Sequence, residues 1–118
     1  PDTTRLNACD KDCTELYLKI DAMFETSDGW TTTAPTGSFP KGATPEGLQD
    51  MAGNVTEWTS SRDCPYPEKR CAEEKRIIRG GGWDTGMRAS VSGSGRTYGG
   101  RDPSQRLSGL GFRCAKTP

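Results

Sequence analysis

Apolar residues recur at helical spacing in the stretch Thr14–Phe24, three or four positions apart. Such spacing places them on one face of a helix, so the pattern predicts a helix of about three turns. The apolar positions are Leu16, Ile20, Met23 and Phe24. Just upstream, Asp12 is followed three residues later by Glu15, a pattern typical of a capping box at a helix N-terminus. We therefore expect one main helix, with its apolar face in the core.

Three short segments have the composition and alternation of strands. They are Val55–Ser60, Arg76–Arg79 and Gly109–Ala115. Because side chains alternate along a strand, we expect Phe112 to point inward and Arg113 to face outward or pair with an acid. The segments between are rich in Gly, Pro, Ser and Thr, which indicates loops. The pattern predicts an irregular, loop-rich α+β chain with few short strands and one main helix.

Composition limits the size of the core. The chain has 118 residues, of which 31% are hydrophobic and 15 are glycines, so we expect at most one domain with many turns. Lys and Arg balance Asp and Glu at 16 each, which gives no general attraction to nucleic acid or to an anionic membrane. No apolar run is long enough to span a bilayer.

Histidine is absent from the sequence, and cysteine occurs five times. The lack of histidine removes histidine metal sites and the commonest general base. Cys9 lies close to Cys13, and Cys64 lies close to Cys71, which predicts two local disulfides and export to an oxidising compartment. The chain would then be secreted, on the cell surface or in a periplasm. Cys114 is left over, which suggests a bond to something outside this sequence.

The stretch from Gly47 to Trp58 is the most informative part of the chain for function. In it, Asp50 and Glu57 flank Gly53, and a glycine there permits a sharp turn with positive φ. A turn between two carboxylates can aim several oxygens at one point, as a hard cation requires. On spacing alone, a tight turn carrying two solvated acids is the stronger interpretation.

Four ordered motifs together resemble the formylglycine-generating-enzyme/sulfatase-modifying-factor family. The stretch 47–58 is similar to the family's GLxDMAGNVxEW, and residues 33–40 to its TAPVGSFP. Residues 79–83 are similar to RGGSW, and residues 110–114 to IGFRC. The resemblance implies a C-type-lectin-like fold of the formylglycine-generating-enzyme subtype. Because no counterpart of the family's upstream RLPTEAEWEYA helix is found, we expect residues 1–118 to be the C-terminal portion of a single such domain.

The resemblance also implies two calcium sites, each built from side-chain oxygens and backbone carbonyls. The first site would use Asn7, the Ala8 carbonyl, Asp28 and the Trp30 carbonyl. The second site would use Asp50, the Gly53 carbonyl, the Val55 carbonyl and Glu57. An Asn cap and an Asp-Gly turn are the simpler alternative at the first site.

The resemblance argues against the family's oxidation chemistry in this chain. Formylglycine-generating oxidases bind copper through two cysteines past the glycine motif, and those positions fall on Thr85 and Ser90. Hydroxyls do not supply the soft ligands that Cu(I) prefers, so we expect no copper. Relatives that use iron rely on histidines of another domain. We expect the chain not to be an enzyme by itself.

Three functions remain open from the sequence. The first is a non-catalytic, calcium-stabilised, extracellular binding or structural module for a protein or carbohydrate ligand. Its candidate ligand surface lies in Asp84–Gln105 and contains Arg88, Arg96, Tyr98 and Arg101. The second is part of an oxidase-like enzyme whose catalytic residues lie in a missing N-terminal half or a partner chain. The third is a subunit of an extracellular assembly. Cys114 would join the chain to its N-terminal half or to another chain.

Overall fold

The computed structural model describes residues 2–17, 19–64, 74–96 and 100–116. It contains helix α1 at Lys11–Leu16, a 3₁₀ turn at Pro40–Gly42, and strands β1 at Thr56–Arg62, β2 at Arg76–Arg79 and β3 at Leu110–Gly111. One short helix and a three-stranded sheet joined by long loops are an α+β arrangement, as predicted. No helix among the described residues is long and apolar enough to cross a membrane.

The sheet is mixed, with strand order β2-β1-β3. β1 runs antiparallel to β2, with Trp58 opposite Ile78, and the register shifts before Arg62 meets Arg76. β1 runs parallel to β3, with Thr56 opposite Leu110. The strand nearest the C-terminus therefore lies directly beside the strand that leaves the motif stretch 47–58.

The predicted helix Thr14–Phe24 is wrong, because α1 begins and ends earlier. Its N-cap is Asp10, whose carboxylate accepts from the backbone N–H groups at positions 12 and 13, and its C-cap is Tyr17. The capping residue is thus Asp10, not Asp12. The chain then turns back, and the N–H of Met23 donates to the Cys9 carbonyl over 2.6 Å. Met23 and Phe24 are buried as expected, but they reach the core from a loop.

Strand β3 is shorter than the predicted Gly109–Ala115, and the expected inward Phe112 is wrong. Phe112 is 76% exposed, whereas Arg113 turns towards Glu57 and forms an ion pair with it. Since neighbouring side chains point to opposite sides of an extended chain, the Arg113 contact turns Phe112 to the open side. The predicted pairing of Arg113 with an acid is confirmed. Strands β1 and β2 match their predicted segments closely.

Among the described residues, two clusters of buried side chains belong to the core. One contains Leu6, Ala8, Met23 and Phe24, and the other contains Cys9, Cys13 and Trp83 with Ile20 packed against it. Cys9 and Cys13 form the predicted disulfide. Cys64 is also disulfide-bonded, and Cys71 lies outside the described residues, so their pairing stays a prediction. Cys114 is a free, exposed thiol.

Candidate functional site

Left-handed backbone shapes the motif stretch 47–58. Asp50, Gly53 and Asn54 have φ values of 53°, 82° and 62°. A Cβ at Gly53 would collide with the carbonyl oxygen of Asn7, so only glycine fits between the loop and the first segment of the chain. The next N–H, that of Asn54, donates to the same Asn7 carbonyl over 2.8 Å. The two predicted calcium loops are therefore in direct contact through Asn7.

The Asn54 side chain fixes the position of this loop. It is 7% exposed, its Oδ1 accepts from the Ala34 N–H over 2.9 Å, and its Nδ2 donates to the Ala34 carbonyl over 3.1 Å. This two-way bond mimics a strand pair and offsets the cost of burying an amide. The left-handed backbone at Asn54 is one that asparagine tolerates better than most residues.

The carboxylates of the second predicted calcium site are already engaged. Arg113 donates to Glu57 from Nε over 2.6 Å and from Nη2 over 2.5 Å. The same guanidinium donates to the carbonyls of Gln49 and Asp50 over 3.0 and 2.9 Å. One oxygen of the Asp50 carboxylate accepts from the Gly37 N–H over 2.7 Å. The hydrogen bonds to Glu57 are the main reason that the pKa of Arg113 is raised above its usual value.

The first predicted calcium site contains oxygens without partners. Asn7 is 1% exposed; its Nδ2 donates to the Thr32 carbonyl over 2.8 Å, but its Oδ1 is buried and accepts no hydrogen bond. In Asp28, Oδ1 accepts from the Trp30 N–H over 2.9 Å, whereas Oδ2 is buried and unpartnered. Buried acceptors without donors are costly, and a bound cation is one of the standard explanations for them.

Burial raises the pKa of the Asp28 carboxyl to about 6. Desolvation is the largest cause; the hydrogen bond from Trp30 opposes it, and the nearby charges of Asp10 and Asp12 add to it. Burial disfavours the charged form of this carboxyl, so a nearby cation would stabilise the carboxylate. Of the two predicted sites, this one has buried side-chain oxygens without a hydrogen-bond partner.

Asp10 is a residue that the sequence analysis missed. It is fully buried; its Oδ1 caps α1, and its Oδ2 accepts from the Asp28 N–H over 2.6 Å. It thus links the helix to the first predicted calcium loop. Its position directly after Cys9 and one turn before Thr14 was the available signal, since an Asp there can cap a helix that starts at Lys11.

Clusters of metal-binding side chains were sought in the described part of the chain. Among these residues, no group of three or more His, Cys, Asp or Glu side chains is placed to hold a metal. The predicted calcium sites are of another kind, because two side chains and two backbone carbonyls would supply the oxygens of each.

A cavity of about 430 Å³ lies where the turn after Trp83 faces the segment that leads into β3. Its wall includes both positions that the resemblance assigns to copper-binding cysteines, Thr85 and Ser90. Thr85 Oγ1 accepts from the Gly82 N–H over 2.9 Å, so this hydroxyl supports the glycine turn. The remaining lining residues are Tyr17, Ile20, Thr56, Ile78, Trp83, Asp84, Arg101, Leu107, Ser108, Gly109 and Leu110. A mixed apolar and polar wall is typical of a binding pocket.

The three ligand-surface candidates that the structure describes make different contacts. Arg101 lines the cavity, and its Nε is buried without a hydrogen-bond partner. The guanidinium of Arg88 lies 5.5 Å from the ring centre of Phe24, and Arg96 pairs with Asp63 over 3.7 Å. Tyr98 lies outside the described residues.

Comparison with known proteins supports the grouping of motifs around this site. Residues 4–118 match the family model described as sulfatase-modifying factor enzyme 1-like domain. The chain belongs to this family. It is 34% identical to the "Inactive C-alpha-formylglycine-generating enzyme 2" of Mus musculus, over 76% of the chain and 28% of that protein.

Two other kinds of curated protein are similar to parts of the chain. The chain is 34% identical to the "Serine/threonine-protein kinase pkn1" of Chlamydia caviae, over 88% of the chain and 17% of that protein. It is 35% identical to the "Hercynine oxygenase" of Mycolicibacterium smegmatis, over 42% of the chain and 15% of that protein. The chain therefore spans less than a third of each of these curated relatives.

Proposed function

We propose that this chain is a non-catalytic, calcium-stabilised binding or structural module with a C-type-lectin-like fold, exported from the cell. The observation that carries the proposal is the cavity beside Trp83, in whose wall Thr85 and Ser90 stand where the family's oxidases have cysteines. Hydroxyls there leave a shaped, mixed-polarity pocket without the thiolates that copper chemistry needs. A relative named inactive, matched over 76% of the chain, supports the same conclusion.

Copper binding and peptide oxidation test the non-catalytic proposal. We expect the wild-type chain to bind Cu(I) no more tightly than a Thr85→Ala control, and to leave a cysteine-containing sulfatase-type peptide unmodified. The Thr85→Cys/Ser90→Cys variant restores two soft ligands, so we expect it to bind Cu(I) at least a hundredfold more tightly. Formation of formylglycine by the wild type, measured by peptide mass, would overturn the proposal.

Calcium is proposed for the first loop, between Asn7 and Asp28. The support is the pair of buried, unpartnered oxygens on these side chains, together with the raised pKa of the Asp28 carboxyl. Each oxygen would be satisfied by a hard cation completed by backbone carbonyls at Ala8 and Trp30. The ion would join the first segment of the chain to the loop after α1.

A chelator tests the calcium proposal. An ion bound to the native state alone raises the free energy of unfolding by mass action, by about 2.7 kcal/mol at a free concentration 100 times Kd. We expect EGTA to lower the melting temperature of the wild type and to leave that of Asp28→Ala unchanged. Equal melting temperatures of the wild type with calcium and with EGTA would contradict the proposal.

The cavity is the proposed ligand site. Apolar side chains from Ile20, Ile78 and Leu107 face hydroxyls and the Arg101 side chain across it. This combination suits a ligand with an apolar body and polar edges, such as a peptide side chain or a sugar. The proposal moves recognition from the whole segment Asp84–Gln105 to the part of it that lines the cavity.

A second candidate function is part of a larger enzyme or assembly. Phe112 is 76% exposed and Cys114 is a free thiol beside it, so the C-terminal end of the chain presents an apolar side chain and a reactive group to solvent. The chain covers 28% and 17% of the lengths of two curated relatives, so its partner could be a further part of the same protein. We propose that this part, or another chain, covers Phe112 and bonds Cys114.

A further inference from the structure

The Arg113 guanidinium lies against the loop that the family resemblance assigns to a second calcium ion, and it pairs there with the carboxylate of the predicted ligand Glu57. Three of its nitrogens donate four hydrogen bonds to the stretch 47–58. Two go to the Glu57 carboxylate and two to the carbonyls of Gln49 and Asp50. Such a fork-to-fork pair of guanidinium and carboxylate is among the strongest side-chain hydrogen-bonding arrangements.

The donor set left over does not suit calcium. Calcium takes six to eight oxygens, usually with carboxylates among them. Both Glu57 oxygens are used by Arg113, and one oxygen of the Asp50 carboxylate accepts from the Gly37 N–H. A divalent ion at this place would also lie beside a guanidinium that does not lose its proton in the physiological pH range. Repulsion between the two cations opposes binding while the pair stays closed.

The first loop is the opposite case. There, Asn7 Oδ1 and Asp28 Oδ2 are buried without a hydrogen-bond donor. Among the described residues, neither side chain forms an ion pair with a cationic side chain. The difference between the loops is therefore one of charge compensation. One predicted calcium loop is paired with a cationic side chain of the protein, and the other has no such pair among the described residues.

We propose that Arg113 takes the place of the second calcium ion, so that the loop from Asp50 to Glu57 is closed by a side chain and binds no calcium in this chain. The consequence is a calcium-independent connection between the residue after β3 and the start of β1. Closure of the loop then requires that the chain from Leu110 to Arg113 be in place, whatever the calcium concentration. This inference does not depend on whether the first loop binds an ion.

Calcium stoichiometry measured by isothermal titration calorimetry on the full chain tests the proposal. The comparison uses the wild type, Glu57→Gln, Arg113→Gln and the double variant. We expect the wild type and Glu57→Gln to bind equal numbers of ions, and Arg113→Gln to bind one more. The double variant should return to the wild-type number. If the first loop binds nothing, the same pattern appears with one ion fewer throughout, so the two proposals fail separately.

Two results would overturn the proposal: a wild-type calcium ion that Glu57→Gln removes, or an Arg113→Gln variant that folds and gains no ion. Because Arg113→Gln also removes hydrogen bonds that hold the loop, the melting temperature of Glu57→Gln provides a second measurement. We expect Glu57→Gln to lower the melting temperature by the same amount in calcium and in EGTA. A loss seen only in calcium would show that Glu57 binds the ion.

Discussion

Gly53 is the residue at which backbone conformation and packing coincide in the motif stretch. Its φ of 82° disfavours any side chain, and a Cβ there would strike the Asn7 carbonyl oxygen. We expect Gly53→Ala to lower the free energy of unfolding by about 3 kcal/mol, the strain of a left-handed residue plus a forced shift of backbone. Denaturant unfolding measures it.

Gly47 is the matched control, because its φ is 84° and nothing lies within 4 Å of an added Cβ. Gly47→Ala should therefore cost only the backbone strain, about 1 kcal/mol. Equal losses for the two variants would mean that the contact between Gly53 and Asn7 does not hold the loop.

Asp28 makes stability depend on pH in a way that calcium reverses. Its pKa is raised from 3.8 to about 6 in the folded state, so without calcium the native state binds more protons than the unfolded state between these values. In EGTA, the wild type should thus gain stability relative to Asp28→Asn as the pH falls through 6 towards 4. In saturating calcium the bound ion favours the carboxylate, and we expect the wild type to lose relative stability over the same range.

Thermal unfolding at matched pH values checks this prediction. Asparagine keeps the oxygen that accepts from the Trp30 N–H but does not titrate. The comparison with Asp28→Asn therefore isolates the titration of the Asp28 carboxyl. A difference between wild type and variant that does not vary with pH in EGTA would contradict the buried, desolvated carboxyl.

Single residues differed in how well the sequence revealed them. Thr85 and Ser90 could be assigned to the copper-binding cysteine positions through the family motif. Local sequence propensity alone gives no such assignment. Asp10 was missed because nothing in its immediate sequence separates a buried Asp from a solvated one. Burial follows from the packing of distant segments, in this case the loop at Asp28, whose N–H it accepts.

At the level of elements, Asp10 connects α1 to the loop at Asp28, so its replacement tests both. Asp10→Ala removes the N-cap acceptor and leaves the Asp28 N–H without its partner. We expect a loss of about 2–4 kcal/mol, the sum of a cap and a hydrogen bond to a charged group. Asp10→Ser keeps a capping oxygen and should lose about half as much. A loss below about 1 kcal/mol for Asp10→Ala, from chemical unfolding, would show that neither bond matters.

The helix was the element least predictable from the pattern. The apolar spacing over Thr14–Phe24 predicts a helix there. In the structure α1 ends at Leu16, and the Met23 N–H donates to the Cys9 carbonyl. The disulfide between Cys9 and Cys13 lies across the first turn and is buried beside Trp83. Strands β1 and β2 were predictable because alternation in short segments is a local signal. The parallel pairing of β1 with β3 depends on the whole topology and was not.

At the scale of the molecule, the C-terminal end tests whether this chain works alone. Because Phe112 is exposed and Cys114 is a free thiol, we expect another polypeptide segment to cover Phe112 and bond Cys114. In native material, we expect the intact mass without reductant to exceed that of the 118-residue chain by a disulfide-bonded partner. Reduction should release the chain, and a Cys114→Ser variant should show no such adduct. A native mass equal to the single chain with Cys114 free would contradict this prediction.

The family and its motif order were readable from the sequence, since the motifs cover both ends of the chain and the family model matches residues 4–118. The sequence does not predict which of the two predicted calcium loops is paired with a cationic side chain of the protein. This pairing depends on which side of the last strand Arg113 faces, and that choice also exposes Phe112. A shift of one residue along the last strand would turn Phe112 inward and Arg113 away from Glu57. The sequence alone therefore does not decide between the two arrangements.

The most direct measurement is an anomalous difference map from crystals of the full chain grown in calcium. The account predicts one calcium peak, contacted by the side-chain oxygens of Asn7 and Asp28, with Glu57 still paired to Arg113. A peak against Glu57, or no peak between Asn7 and Asp28, would contradict it.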